Sequence, residues 1–123
     1  MDKKTILIIE DEQYHRQVLE KILVQNNFFA VSAPDGYEGL KKIFELKPDL
    51  IILDILLPGL SGFAVLEKLR AAEETKKLKV VILSNLGDDY DVKKGMALGI
   101  EYYFVKANWT PQQIVDKIKE ILK

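Results

Sequence analysis

Apolar residues fall into five short blocks along the chain, and after each block they recur at helical spacing. The first block, Thr5-Ile6-Leu7-Ile8-Ile9, runs into Glu10-Asp11-Glu12. Val18, Leu19, Ile22 and Leu23 then share one helical face, and Asn26-Asn27 stops that helix. The second block is Phe28-Phe29-Ala30-Val31, followed by a turn at Ala33-Pro34-Asp35-Gly36. Asp35, with Glu38 three residues on, is expected to cap a second helix whose inner side carries Leu40, Ile43, Phe44 and Leu46 before Pro48 ends it. The third block, Leu50 to Leu53, is continuous and meets Asp54 directly. An unbroken aliphatic run marks a strand buried on both faces.

Pro58-Gly59 breaks the third block, and Ser61 is the expected cap of a helix that turns Phe63, Leu66 and Leu69 inward. Lys79-Val80-Val81-Ile82-Leu83 is the fourth strand and ends in Ser84. Asp88, Asp89 and Asp91 load the next helix with the charge that its dipole favours at that end. Gly95 inside it costs about 1 kcal/mol against Ala, and Gly99 stops it, so this helix is expected to be the least stable. Tyr102-Tyr103-Phe104-Val105 leads to Lys106. Thr110-Pro111-Gln112-Gln113 reads as a capping box opening a last helix with Ile114, Val115, Ile118, Ile121 and Leu122 on its inner stripe.

Five alternations of strand and helix predict an α/β domain, a parallel sheet with helices on both faces. The 123 residues fit a single domain over 1–123, with no output domain expected. A formal net charge of -1, from 18 basic and 19 acidic residues, leaves no electrostatic footprint for direct nucleic-acid binding. The segment Lys76-Lys77-Leu78-Lys79 reads as a solvated loop. The absence of cysteine fits a reducing compartment, no apolar run is long enough to span a membrane, and a cytoplasmic protein is expected.

An open parallel sheet places its chemistry outside the carboxyl ends of its strands. Here those ends carry Glu10 and Asp11, Asp54, Ser84 and Lys106. Three neighbouring carboxylates repel one another, and a hard divalent cation relieves that repulsion. Magnesium (or manganese) suits few carboxylates and recruits phosphate oxygens to its open positions. Lys106 adds a positive charge and Ser84 a hydroxyl, which completes a cage for a phosphoryl group. Asp54, in the middle, can attack phosphorus and become an acyl phosphate. His15, the single histidine, reads as solvent-facing.

Glu10-Asp11, Asp54-x-x-x-Pro58-x-x-x-Gly62, Ser84, and Lys106 with Tyr103 three residues before it occur in order at successive strand ends. On these motifs the chain resembles, over essentially its full length, the CheY-like receiver domain of two-component response regulators. The resemblance implies a flavodoxin-like, doubly wound sheet of order 2-1-3-4-5. It also implies that Asp54 is the phosphoacceptor and that Ser84 and Lys106 contact the phosphoryl oxygens. Asp11 becomes a direct magnesium ligand, Glu10 acts largely through a water, and the backbone carbonyl of Leu56 is a further ligand. Tyr103 becomes the switch aromatic, turning inward as Ser84 moves. The implied partners are a histidine kinase or a histidine phosphotransfer protein, then a downstream target or a second copy bound at the fourth helix, fifth strand and fifth helix. Such a protein catalyses only its own phosphorylation and dephosphorylation.

The chain departs from that pattern in several places. Ala107 follows Lys106 where the family usually has a cis proline, and one extra residue precedes Thr110. A cis bond without proline costs roughly 2.5–4 kcal/mol, so a trans, rebuilt loop is expected, with Trp109 packed beside the last helix. Asn85 stands where the family often has a small residue, which narrows access for small phosphodonors. Leu56 and Leu86, two residues after Asp54 and Ser84, flank the expected path of a hydrolytic water. Leucine cannot orient water, so slow self-dephosphorylation is expected. Two other functions remain open on sequence: a degenerate receiver used only for protein binding, and a flavodoxin-like electron carrier holding FMN. The second is disfavoured, because Glu10-Asp11-Glu12 would repel a flavin phosphate.

Overall fold

The computed structural model describes residues 3–123. Strands β1 (Thr5–Ile9), β2 (Phe29–Ala33), β3 (Leu50–Leu53), β4 (Lys79–Ser84) and β5 (Tyr102–Val105) form one parallel sheet in the order β2-β1-β3-β4-β5. They alternate with helices α1 (Gln13–Gln25), α2 (Gly36–Leu46), α3 (Gly62–Ala71), α4 (Asp89–Ala97) and α5 (Pro111–Ile121). The doubly wound architecture and the strand order expected from the sequence are both present. Among the described residues, no helix is long and apolar enough to cross a membrane.

Alternation along each buried strand divides the interior into two cores. Ile6, Ile8, Leu50, Ile52, Val81, Leu83 and Phe104 meet Leu19 and Leu23 of α1 and Ile114, Val115 and Ile118 of α5. Leu7, Ile9, Ile51, Leu53, Val80 and Ile82 meet Ile43 of α2 and Phe63, Val65, Leu66 and Leu69 of α3. Central β3 is covered on both sides, which is why its residues are aliphatic without a break.

The expected caps form. Asp35 and Ser61 accept from the backbone amides of Glu38 and Ala64, and Thr110 and Gln113 make the reciprocal capping box of α5; Asp88, expected only to complement the dipole, caps α4 by accepting from the Asp91 amide. Three expectations change. The second strand starts at Phe29, because the amide of Phe28 still closes the end of α1 on the Leu23 carbonyl. Phe44 and Leu46 are exposed, since the inner stripe of α2 is Gly36, Gly39 and Ile43 and Phe44 lies a sixth of a turn or more to one side of it. Gly95 is more than a cost, as it is the one buried residue of α4. A Cβ there would come within 2.9 Å of both Ile82 Cδ1 and Ile100 Cδ1, so the missing side chain is what lets α4 approach the sheet.

Lys106–Asn108 forms a short 3-10 turn, and no cis peptide bond occurs among the described residues. Trp109 packs edge-on to Tyr102 and Phe104, with ring centroids 5.5 and 4.9 Å away, against the core that α5 closes. The rebuilt trans loop and the placement of Trp109 follow the sequence expectation.

Candidate functional site

Parallel pairing brings the strand ends to one edge. The Asp54 amide bonds the Ile9 carbonyl at 3.0 Å and the Glu10 amide bonds the Ala33 carbonyl at 3.1 Å, so both acids continue the ladder just beyond their strands. Asp54 is only 6% exposed and Glu10 only 3%. Gly62 holds the far side of Asp54 close: a Cβ on it would lie 2.1 Å from the Asp54 carbonyl oxygen. The Leu56 amide donates to Asp54 Oδ1 at 3.0 Å, which leaves Oδ2 for a second partner.

Lys106 reaches across from β5. Its Nζ lies 2.6 Å from Glu10 Oε1 and 3.0 Å from Asp54 Oδ2. Carboxylate oxygens of Glu10, Asp11 and Asp54 all lie within 4.8 Å of one another, with Asp11 exposed and the other two buried. One ammonium thus serves two buried acids, with a third acid at the rim. Burial would lower the affinity of Lys106 for its proton, but its bond to Glu10 and the charge of Asp54 outweigh that and raise its pKa. Glu10 is also raised, first by burial and then by the neighbouring Asp54, against the pull of Lys106. Three carboxylates set against one ammonium leave a surplus of negative charge. That surplus suits a hard divalent cation, and three carboxylates at this spacing are an oxygen donor set that fits magnesium.

Ser84 is fully buried at the end of β4, and its Oγ accepts from the Leu86 amide at 3.2 Å. Tyr103 is half-buried, and its hydroxyl donates to the Leu86 carbonyl. Leu86 is therefore held at both backbone groups, one by Ser84 and one by Tyr103. Burial, followed by the charges of Asp91, Asp88 and Asp54, pushes the Tyr103 phenol up to about 12. The side chains of Asn85 and Leu56 are exposed, whereas Leu86 packs partly into the core.

Two residues escaped the sequence reading. His15 does not simply face solvent: its Nδ1 lies 3.3 Å from Glu10 Oε1, with the side chain 40% exposed. Arg16 donates from Nη1 to the backbone carbonyls of Glu10 at 2.8 Å and Asp11 at 3.1 Å. The only available signal was their position on the first turns of α1, five and six residues after Glu10. Beside them a cleft of about 270 Å³ opens between α1 and α5, lined by Leu19, Trp109 and Ile114 among others.

The family described as response regulator receiver domain matches residues 6–119. A probable transcriptional regulator of Guillardia theta, ycf27, is 34% identical over 121 residues, which is 98% of this chain and 46% of that protein. The phosphate regulon transcriptional regulatory protein PhoB of Escherichia coli is 33% identical over 120 residues, 98% of this chain and 52% of its own length. The chain thus spans about half the length of the curated relatives it matches. A crystal structure of a putative response regulator from Chloroflexus aurantiacus superposes with a TM-score of 0.89 at 31% identity, covering 98% of each chain. Chemotaxis protein CheY4 of Vibrio cholerae shares the fold at a TM-score of 0.90 and 22% identity, covering 98% of this chain and 99% of that one.

Proposed function

The chain belongs to the response regulator receiver family, and from that premise we propose that it receives a phosphoryl group on Asp54 from a phosphohistidine donor and passes the event on as a change of shape. The observation that carries this reading is the contact of Lys106 Nζ with both Asp54 and Glu10, beside a third acid. An Asp54 carboxylate oxygen attacks phosphorus. The new O–P bond forms as the P–N bond to the donor imidazole breaks, and the electron pair leaves on that ring nitrogen. Lys106 faces the transferred oxygens as a fixed positive charge, and Ser84 supplies a hydroxyl once it turns from Leu86.

Glu10, Asp11, Asp54 and the Leu56 carbonyl would hold magnesium or manganese, which when bound neutralises charge on the phosphoryl oxygens. The partners are a histidine kinase or histidine phosphotransfer protein, and then a target, or a second copy, at the surface of α4, β5 and α5. The chain acts as a stoichiometric acceptor in the cytoplasm. It does not turn over a substrate.

Incubation with acetyl phosphate and magnesium, followed by intact-mass measurement, tests the assignment. The wild type is expected to gain one phosphoryl mass and Asp54→Asn none. No gain in the wild type would weaken the acceptor role, and equal gain in both would remove Asp54 as the site.

A further inference from the structure

Of the two acids at the β1 end, Glu10 is tied to Lys106 and the strand ladder, whereas exposed Asp11 sits on a turn that has little to hold it. Helix α1 begins without a side-chain cap, since Glu12 makes no capping bond, and its first turn carries no acidic residue. Asp11 is exposed, and the amide of Glu12 has only a 3.4 Å contact with Glu10 Oε2. Arg16 reaches back from the next turn of the helix. Its Nη1 bonds two successive carbonyls of the acid turn, at Glu10 and Asp11. Among the described residues, Arg16 makes no ion pair with a carboxylate, although it touches the backbone of two acidic residues. Its hydrogen-bonding capacity goes into backbone geometry.

We propose that Arg16 is a positioning residue for the divalent cation. By tying the carbonyls of Glu10 and Asp11 back to α1, it holds the two carboxylates toward Asp54 before the cation arrives. This rests on the metal-dependent reading above. Glu10 and Asp54 are already tied to Lys106, so the ordering cost of binding falls on exposed Asp11 and the turn that carries it.

The sign of the effect separates this role from a role of charge alone. A positive group near the site repels a cation, so removing a mere charge would tighten binding. Removing a brace weakens it. The test is direct binding of Mn2+ to the full chain, followed by the electron paramagnetic resonance signal of the free aqueous ion, with no phosphodonor present. Arg16→Met and Arg16→Gln are both neutral and helix-compatible, and circular dichroism checks that each is folded. The brace predicts Mn2+ affinity lower by roughly tenfold to a hundredfold in both, the scale of losing hydrogen bonds made by a charged group. Affinity unchanged or increased in either folded variant overturns it. Failure of the wild type to bind Mn2+ would instead refute the metal site itself, which this readout reports separately from any loss in the variants.

Discussion

Tyr103 shows how a single side chain can be read at several levels. Its position three residues before Lys106 was legible, but its resting bond to the Leu86 carbonyl was not, because an acceptor on the backbone leaves no trace in residue identity. That bond ties the phenol to the same loop that Ser84 holds. The raised pKa, about 12 against a usual 10, means that the folded state favours the protonated phenol. The associated stability is complete below about pH 10 and is lost as pH rises through about 12. Near-ultraviolet titration of the wild type is expected to show a tyrosine step near pH 12 that Tyr103→Phe removes. At the same scale, Leu56 and Leu86 offer no polar group to a hydrolytic water. Leu56→Asn and Leu86→Glu are expected to speed decay of the phosphoprotein by roughly fivefold each, about 1 kcal/mol of barrier. Unchanged or slower decay in both would count against the shielding role.

Among the elements, α4 stands apart. It buries only Gly95, and its N-terminal side is tethered through Leu86 to Ser84 and Tyr103. Its C-terminal end is held differently. Arg70 of α3 donates through Nε to the Leu98 carbonyl at 2.7 Å and through Nη2 to Gly99 at 3.2 Å. Its Nη1 reaches the carbonyls of Thr75, Lys76 and Leu78. One guanidinium thus joins the end of α3, the loop before β4 and the end of α4. Arg70→Met keeps the aliphatic stem and strands those carbonyls, and is expected to cost about 2–3 kcal/mol, read from denaturant unfolding. Faster amide hydrogen exchange around Leu98 and Gly99 should accompany the loss. The elements themselves were largely legible, because a buried parallel strand is aliphatic throughout and a capping residue acts on its own helix. Phe44 and Leu46 were misplaced because helix periodicity marks a stripe but not its width. The reach of Arg70 and Arg16 was invisible because they act on carbonyls that every residue carries.

For the whole molecule, the candidate site is where buried acidic charge gathers, at Glu10 and Asp54. Two buried acids and one at the rim are balanced by a single ammonium, and Glu10 is held above its ordinary pKa mainly by burial. A divalent cation that binds the native state alone should stabilise it. At a magnesium concentration about a hundredfold above Kd the gain is about 2.7 kcal/mol, a rise in Tm of several degrees for a domain of this size. Thermal unfolding with and without magnesium measures it, and Asp11→Asn should abolish most of the shift. The convergence of Glu10, Asp11, Asp54 and Lys106 was legible from strand order. Which acids take the ammonium was not, because that depends on distances between strands and not on spacing along the chain.

Those distances have a bearing on synthesis. The Lys106 ammonium touches a residue 96 positions earlier and another 52 positions earlier, so it stitches the last strand to the first and the third. A nascent chain already carries Glu10, Asp11 and Asp54 when it is half made, yet it lacks the Lys106 ammonium that pairs with two of them. Contacts this far apart form only when the intervening loops have closed. Assembly of the charged cluster therefore waits for the final strand, which delivers Lys106 to Glu10 and Asp54.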